Sequence, residues 1–474
     1  MLFNSIAFLL FFPLVCLLYY SIPSRMPKGR NMLLLVASYY FYMNWKPAYA
    51  LLLLVATSVT YLSALGMCHF KEKRRRRAFL IGSIILNLAL LLLFKYYAFL
   101  AENIKAVLEW SGIALQMPEF GLLLPVGISF YIFQALGYSI DVYKGKTKAE
   151  LDFPTYALFV SFFPQLVAGP IERSNNLLSQ FHEEHHINYE RVMAGLRMML
   201  WGYFMKLVLA DRCGLYVDAV FNNVDKHNGG AYLLASFLFP FQIYGDFAGY
   251  SLIAIGAAKI MGFHLMENFH RPYFSCSVSE FWHRWHISLS TWFKDYVYIS
   301  LGGNRVSRIR QYFNLMVTFL LSGIWHGANW TFVCWGGLHG ILLCIEKGLG
   351  FGRNEYSGLN RLTHWVITFV VVCLAWILFR SNSIADGMLV FSGLFTKMNI
   401  PDISFSMFTE ITQALMALLV LFCKELGLFS KFLTLNSSSW LLSTVVSHLY
   451  MVSIIVFILL FGVLDGDQFI YFQF

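Results

Sequence analysis

Gln311–Ile345 reads QYFNLMVTFLLSGIWHGANWTFVCWGGLHGILLCI and contains no lysine, arginine, aspartate or glutamate. A helix needs roughly 20 apolar residues to cross the hydrocarbon of a bilayer, and this run exceeds that length. Ala78–Phe94 is a second uncharged run of span length. Over the whole chain 58% of residues are hydrophobic and 13% charged, against about 25% charged in soluble domains. The sequence therefore describes an all-α polytopic membrane protein. Polar stretches reach only a few tens of residues, so residues 1–474 form a single membrane domain.

The charges that remain are arranged by topology. Of the net +9, much sits in short loops: Arg25, Lys28 and Arg30, then Lys71–Arg77 (KEKRRRR), then Lys144, Lys146 and Lys148. Basic loops of this kind stay on the cytosolic face of a cell membrane. A nucleic-acid reader would gather its charge on one folded face, so no nucleic-acid partner is expected. The opening MLFNSIAFLL lacks a basic leader region and a small-residue cleavage site, and reads as a first span, Leu2–Ile22, with the N-terminus outside. Asn31–Trp45 and Pro47–Met67 make a hairpin, Ala78–Leu100 crosses outward towards Glu102, Glu109 and Glu119, and Gly121–Tyr143 returns. Further spans are expected at Val192–Val217, Ala231–Tyr244, Tyr250–Phe263, within Phe313–Ile345, and at Leu362–Phe379, Ile411–Phe429 and Leu441–Leu464. The count is about eleven. Eight cysteines are scattered singly with no ligand-like spacing, so neither a disulfide framework nor a metal site is expected.

Two stretches depart from simple spans. Tyr156–Ile171 (YALFVSFFPQLVAGPI) is apolar but short and holds Pro164 and Gly169-Pro170. Proline breaks a helix, and broken backbone survives at membrane depth only inside protein or along a cavity, so a re-entrant element is expected. Phe281–Tyr296 (FWHRWHISLSTWFKDY) places Phe281, Trp282, Trp285, Leu289, Trp292, Phe293 and Tyr296 within one arc of about 120° at helical pitch. That pattern predicts one amphipathic helix, with His286 at the edge of the apolar arc and His283 on the polar face.

His326 is the most informative residue. It lies midway through the uncharged run, between Gly323 and Gly327, where an ionisable group is costly and by default a functional candidate. A neutral histidine bridging helices by a hydrogen bond is the alternative on position alone, and His286 carries the same two readings. His339, thirteen residues further on at helical pitch, is expected on the opposite side of the same span with a structural role. A buried neutral imidazole suits removal of a proton from an alcohol attacking a thioester. Ser290, one turn after His286, would help to steady developing charge. Trp325 and Asn329, either side of His326, are further candidate substrate contacts.

At these residues the chain resembles a known family. FWHRWHISLSTWFKDYVYISLGGNR (Phe281–Arg305) followed by SGIWHGANWTFVCWGGLHG (Ser322–Gly340) is similar to the signature of membrane-bound O-acyltransferases, in their bacterial alginate O-acetyltransferase branch. LPVGISFYIFQALGYSIDVYKG (Leu124–Gly145), FFPQLVAGPIER (Phe162–Arg173), PFQIYGDFAGYSLIAIG (Pro240–Gly256) and FIYFQF (Phe469–Phe474) carry the resemblance along the chain. It departs at Leu252, where the branch often has an acidic residue, and at His283, where arginine is commoner. The resemblance implies a helical bundle around a central tunnel, with His326 as catalytic base and His286 positioning or polarising the acyl group. It implies no tightly bound cofactor but an acyl thioester donor, acetyl-CoA or an acyl carrier protein. The implied acceptor is a hydroxyl of an exported polysaccharide or another cell-envelope polymer, reached through an exported or membrane-anchored acetyltransferase partner, with membrane lipid around the bundle. D-alanyl transfer towards teichoic acid is the sister activity. A transporter or flippase with a protonatable histidine is the reading from another class, disfavoured by missing internal repeats and scarce intramembrane carboxylates.

Overall fold

A computed structural model describes residues 1–113, 118, 124–351, 356–396, 398–401, 403–428 and 440–463. Glu119 and the closing FIYFQF motif lie outside the described residues. Among the described residues the regular structure is helical throughout. In chain order the helices are α1 (Ile6–Ser21), α2 (Pro27–Met43), α3 (Tyr49–His69), α4 (Lys73–Trp110), α5 (Ile128–Lys144), α6 (Phe153–Ser161), α7 (Phe163–Leu166) and α8 (Tyr189–Phe221). Then come α9 (Gly229–Met261), α10 (Val278–Arg284), α11 (Ile287–Phe293), α12 (Arg308–His326), α13 (Trp330–Leu349), α14 (Gly358–Arg380), α15 (Ile384–Thr396), α16 (Phe405–Glu425) and α17 (Trp440–Phe461). Among the described residues, α3, α4, α8, α13, α14 and α16 are long and apolar enough to cross a membrane.

The expected spans Ala231–Tyr244 and Tyr250–Phe263 are in fact one continuous helix, α9, which runs 33 residues through Pro240. At 1.5 Å per residue it extends roughly 50 Å and is buried along most of its length. Proline removes the N–H that would bond the carbonyl four residues earlier. Tyr273 donates its hydroxyl to the Pro240 carbonyl at 2.6 Å, tying α9 to the segment before α10. Glycines let α8 lie against α9. A Cβ on Gly195 would meet the Gly256 carbonyl at 2.7 Å, and one on Gly202 would meet the Gly249 carbonyl at 2.6 Å. Matching pairs seven residues apart on both helices set an antiparallel register that larger side chains would forbid. Lys206 of α8 closes the same contact, reaching Asp211 at 2.8 Å and Asp246 of α9 at 2.6 Å. Both carboxylates at this contact are buried in ion pairs with one lysine.

Tyr156–Ile171 holds a helix broken at Phe162, with α6 and α7 both buried. Gln134 and Gln165 donate to the Phe159 carbonyl at 2.6 and 3.0 Å, and Ser38 accepts from the Phe163 N–H at 3.1 Å. These bonds satisfy the backbone that the break frees.

The basic loops gather at one end. Arg76 donates to the Tyr143 carbonyl, Tyr61 to the Leu151 carbonyl, and Ser24 to Glu184. From that end α1, α2 and α4 lead to Met1, Trp45 and Trp110 at the other. The 38 residues of α4 rise roughly 57 Å, so Glu109 is far from Lys73.

Candidate functional site

His286 sits where the expected amphipathic helix is broken. The chain turns between α10 and α11, and His286 adopts φ 43° and ψ 55°, a left-handed conformation unusual for a non-glycine residue. A neighbouring strand of backbone holds this turn open. The Asn268 carbonyl accepts from Ile287 N–H at 2.9 Å, and its Oδ1 accepts from Ser288 N–H at 3.2 Å and Ser288 Oγ at 2.9 Å. His270 N–H donates to the Arg284 carbonyl on the other side of the break. The consequence overturns the wheel projection: His286 is not at a rim but fully buried, with its ring against Phe247 at 4.5 Å between centroids. Neither ring nitrogen has a hydrogen-bond partner among the described residues. His283 stays exposed, as expected, with its Nδ1 near the Ser279 carbonyl.

His326 is the last residue of α12, not the middle of a span. Gly327 is extended, Asn329 accepts from Thr331 N–H as the N-cap of α13, and the uncharged run thus folds into two helices. Gly323 and Gly336 face each other across them, and a Cβ on Gly323 would stand 2.3 Å from the Phe332 carbonyl. This turn corrects the placement of His339. It belongs to α13 and does not face away: the Trp335 ring lies 5.1 Å from His326 and 5.0 Å from His339. His339 Nδ1 accepts from Trp282 Nε1 at 3.2 Å, which suits a structural role.

The two histidines that the sequence singled out are brought together. Their ring centroids lie 6.3 Å apart, too far for a direct N–H···N bond and compatible with one oxygen between them. Trp325 touches both, at 5.7 Å from His286 and 5.0 Å from His326. A cavity of about 60 Å³ opens beside His326, walled by Trp45, Lys95, the 124–130 segment and Trp325. Room for a few water-sized groups next to a buried imidazole suits proton transfer to or from a hydroxyl. Trp45 follows α2 and Gly127 precedes α5, so the cavity lies at the end away from the basic loops. Ser290 and Asn329 are not brought to it: Ser290 Oγ donates to the Trp285 carbonyl, and Asn329 Nδ2 donates to the Asn382 carbonyl.

Lys95 and Asn268 were not singled out by the sequence reading. Lys95 had a signal, being the sole charged residue between Arg77 and Glu102. Asn268 had none, because its effect depends on contacts across twenty residues of chain.

A sequence description of MBOAT, the membrane-bound O-acyltransferase family, matches residues 147–385, which include both histidines. The chain is 40% identical over 402 residues to the probable alginate O-acetylase AlgI of Pseudomonas aeruginosa, covering 84% of this chain and 75% of that one. It is 34% identical over 424 residues to the peptidoglycan O-acetyltransferase of Helicobacter pylori, covering 83% and 80%. The teichoic acid D-alanyltransferase of Bacillus subtilis is more distant, at 27% over 341 residues, covering 67% and 81%. The family match and these relatives make this protein an O-acyltransferase of the membrane-bound O-acyltransferase family.

Proposed function

We propose that the protein transfers an acetyl group from a cytosolic thioester, acetyl-CoA or a carrier protein, to a hydroxyl group destined for an exported polysaccharide or peptidoglycan. The observation that carries this reading is the meeting of His286 and His326 beside a cavity at the end opposite the basic loops. With the basic loops cytosolic, the N-terminus and the cavity face outward, and a bundle of about eleven spans surrounds a tunnel through which donor and acceptor approach from opposite faces. His326 takes the hydroxyl proton as the oxygen attacks the thioester carbonyl. His286, held neutral in an aromatic cage, orients the acyl carbonyl. An exported or membrane-anchored partner receives the group or carries it to the polymer. Acetyl is favoured over D-alanyl because relatives at 34–40% identity are named as O-acetylating proteins and the D-alanyl relative stands at 27%.

The test is transfer of radiolabelled acetyl from acetyl-CoA by the purified protein in proteoliposomes, with alginate or peptidoglycan fragments enclosed. Label in the enclosed acceptor, lost in His326→Gln, is expected. Label from D-alanyl carrier protein but not from acetyl-CoA would replace this reading with the sister activity.

A further inference from the structure

The end of the helix that bears His326 is closed by side chains from another helix. Between Leu92 and Tyr96, α4 widens into a π-turn, a feature that often marks functional sites. The turn presents two consecutive side chains to α12. Lys95 Nζ donates to the carbonyls of Trp325 at 2.8 Å and His326 at 3.1 Å, and Tyr96 donates to the carbonyl of Ile324 at 2.9 Å. The last three carbonyls of α12 are therefore capped from outside, while Gly327 leaves the helix as extended chain.

Capping alone does not require a charge. A neutral amide donor such as glutamine can bond a helix carbonyl without bringing an ammonium to membrane depth. Among the described residues no carboxylate lies within ion-pair distance of Lys95, so ion pairing does not account for it either. Its ammonium instead lies at the wall of the cavity beside His326, near Ser129 Oγ at 3.5 Å and 5.8 Å from the Trp325 ring centroid. A helix C-terminus carries roughly half a negative charge. That charge would oppose the negative oxygen that forms when a hydroxyl attacks a thioester beside the last residue of α12.

We propose that Lys95 is a positioning residue for the acyl transfer, fixing His326 by its two carbonyl bonds and cancelling the negative end of α12 at the reacting centre. The inference rests on reading His326 as the base. In the step it supports, the hydroxyl oxygen bonds to the thioester carbonyl carbon and the hydroxyl proton passes to His326. The carbon–sulfur bond then breaks, and the departing thiolate takes the proton and leaves as the thiol. Lys95 exchanges no proton.

The experiment measures kcat and KM for acetyl transfer in Lys95→Met, Lys95→Gln, Lys95→Arg and His326→Gln, alongside their abundance in membranes. Lys95→Met and Lys95→Gln are expected to lower kcat about 10²-fold with KM within about threefold of wild type. Lys95→Arg, which keeps charge and donors, is expected to recover at least about tenfold of that loss. If Lys95→Met fails to accumulate, the comparison of Lys95→Gln with Lys95→Arg decides. Equal activity in those two variants, or wild-type activity in Lys95→Gln, overturns the role of the charge. If His326→Gln is inactive while Lys95→Gln is normal, the base survives and only the Lys95 inference falls. Activity in His326→Gln removes the reading on which both stand.

Discussion

The imidazoles of His286 and His326 meet edge-on at 6.3 Å between centroids, each delivered by the end of a helix rather than its middle. A residue at a helix end has backbone groups outside the regular ladder, so its placement depends on what caps and pins that end. The consequences can be tested at several positions.

His326→Ala should reduce acetyl transfer by about 10²–10⁴-fold, the usual effect of losing a general base, with normal membrane abundance. His326→Gln should be as inactive, since an amide cannot take the proton. Transfer within tenfold of wild type in the glutamine variant would exclude proton abstraction by His326. His339→Ala is not a silent control. It leaves Trp282 Nε1 without its acceptor and loosens Trp335, so a lower detergent melting temperature with a modest, roughly tenfold loss of rate is expected.

Asn268 should matter as much as a residue that touches substrate. Asn268→Ala leaves Ser288 without its acceptor in a buried setting, a cost of about 1–3 kcal/mol, and releases the turn that holds His286. Reduced thermal stability together with a rate loss close to that of His286→Ala is expected. A variant that is destabilised yet fully active would show that the left-handed turn at His286 is not needed for transfer.

The arrangement of loops makes a topological prediction. Single cysteines near Lys73 and Lys146 should react with a membrane-impermeant maleimide only after the cytosolic face is opened, and a cysteine near Glu109 should react from outside. Labelling of positions 73 and 109 from the same side would invalidate the map, since α4 joins them as one long helix.

Glu172 gives a pH signature. It lies outside the spans, 2% exposed, and burial pushes its carboxyl up to about 7 although Asn176 and Met266 N–H donate to it. With the folded value raised above the unfolded one, the folded state holds more protons between about 4.5 and 7, so stability falls as pH rises through that window and levels off above it. The full difference is on the order of 3 kcal/mol. Melting temperatures of wild type and Glu172→Gln should therefore diverge in favour of the variant as pH rises from about 5 to 7. A constant difference across that range would show that Glu172 titrates normally.

Composition and run length alone point to a helical membrane protein, because uncharged runs such as Gln311–Ile345 and Ala78–Phe94 are long enough to span a bilayer in a chain only 13% charged. The sequence also singled out His286 and His326 as candidates, since ionisable groups in such company are conspicuous. It misplaced both along their helices. Periodicity carries one side chain to the next only while the helix continues, and at His286 and Gly327 it does not continue. Those breaks were decided by tertiary contacts: Asn268 holding the left-handed turn, Lys95 and Tyr96 capping α12, and Gly323 lying against Gly336 where α13 folds back. Each is a bond or a close approach between residues distant in the chain. Local propensity carries no record of such partners, so the site itself was settled only when the helices packed.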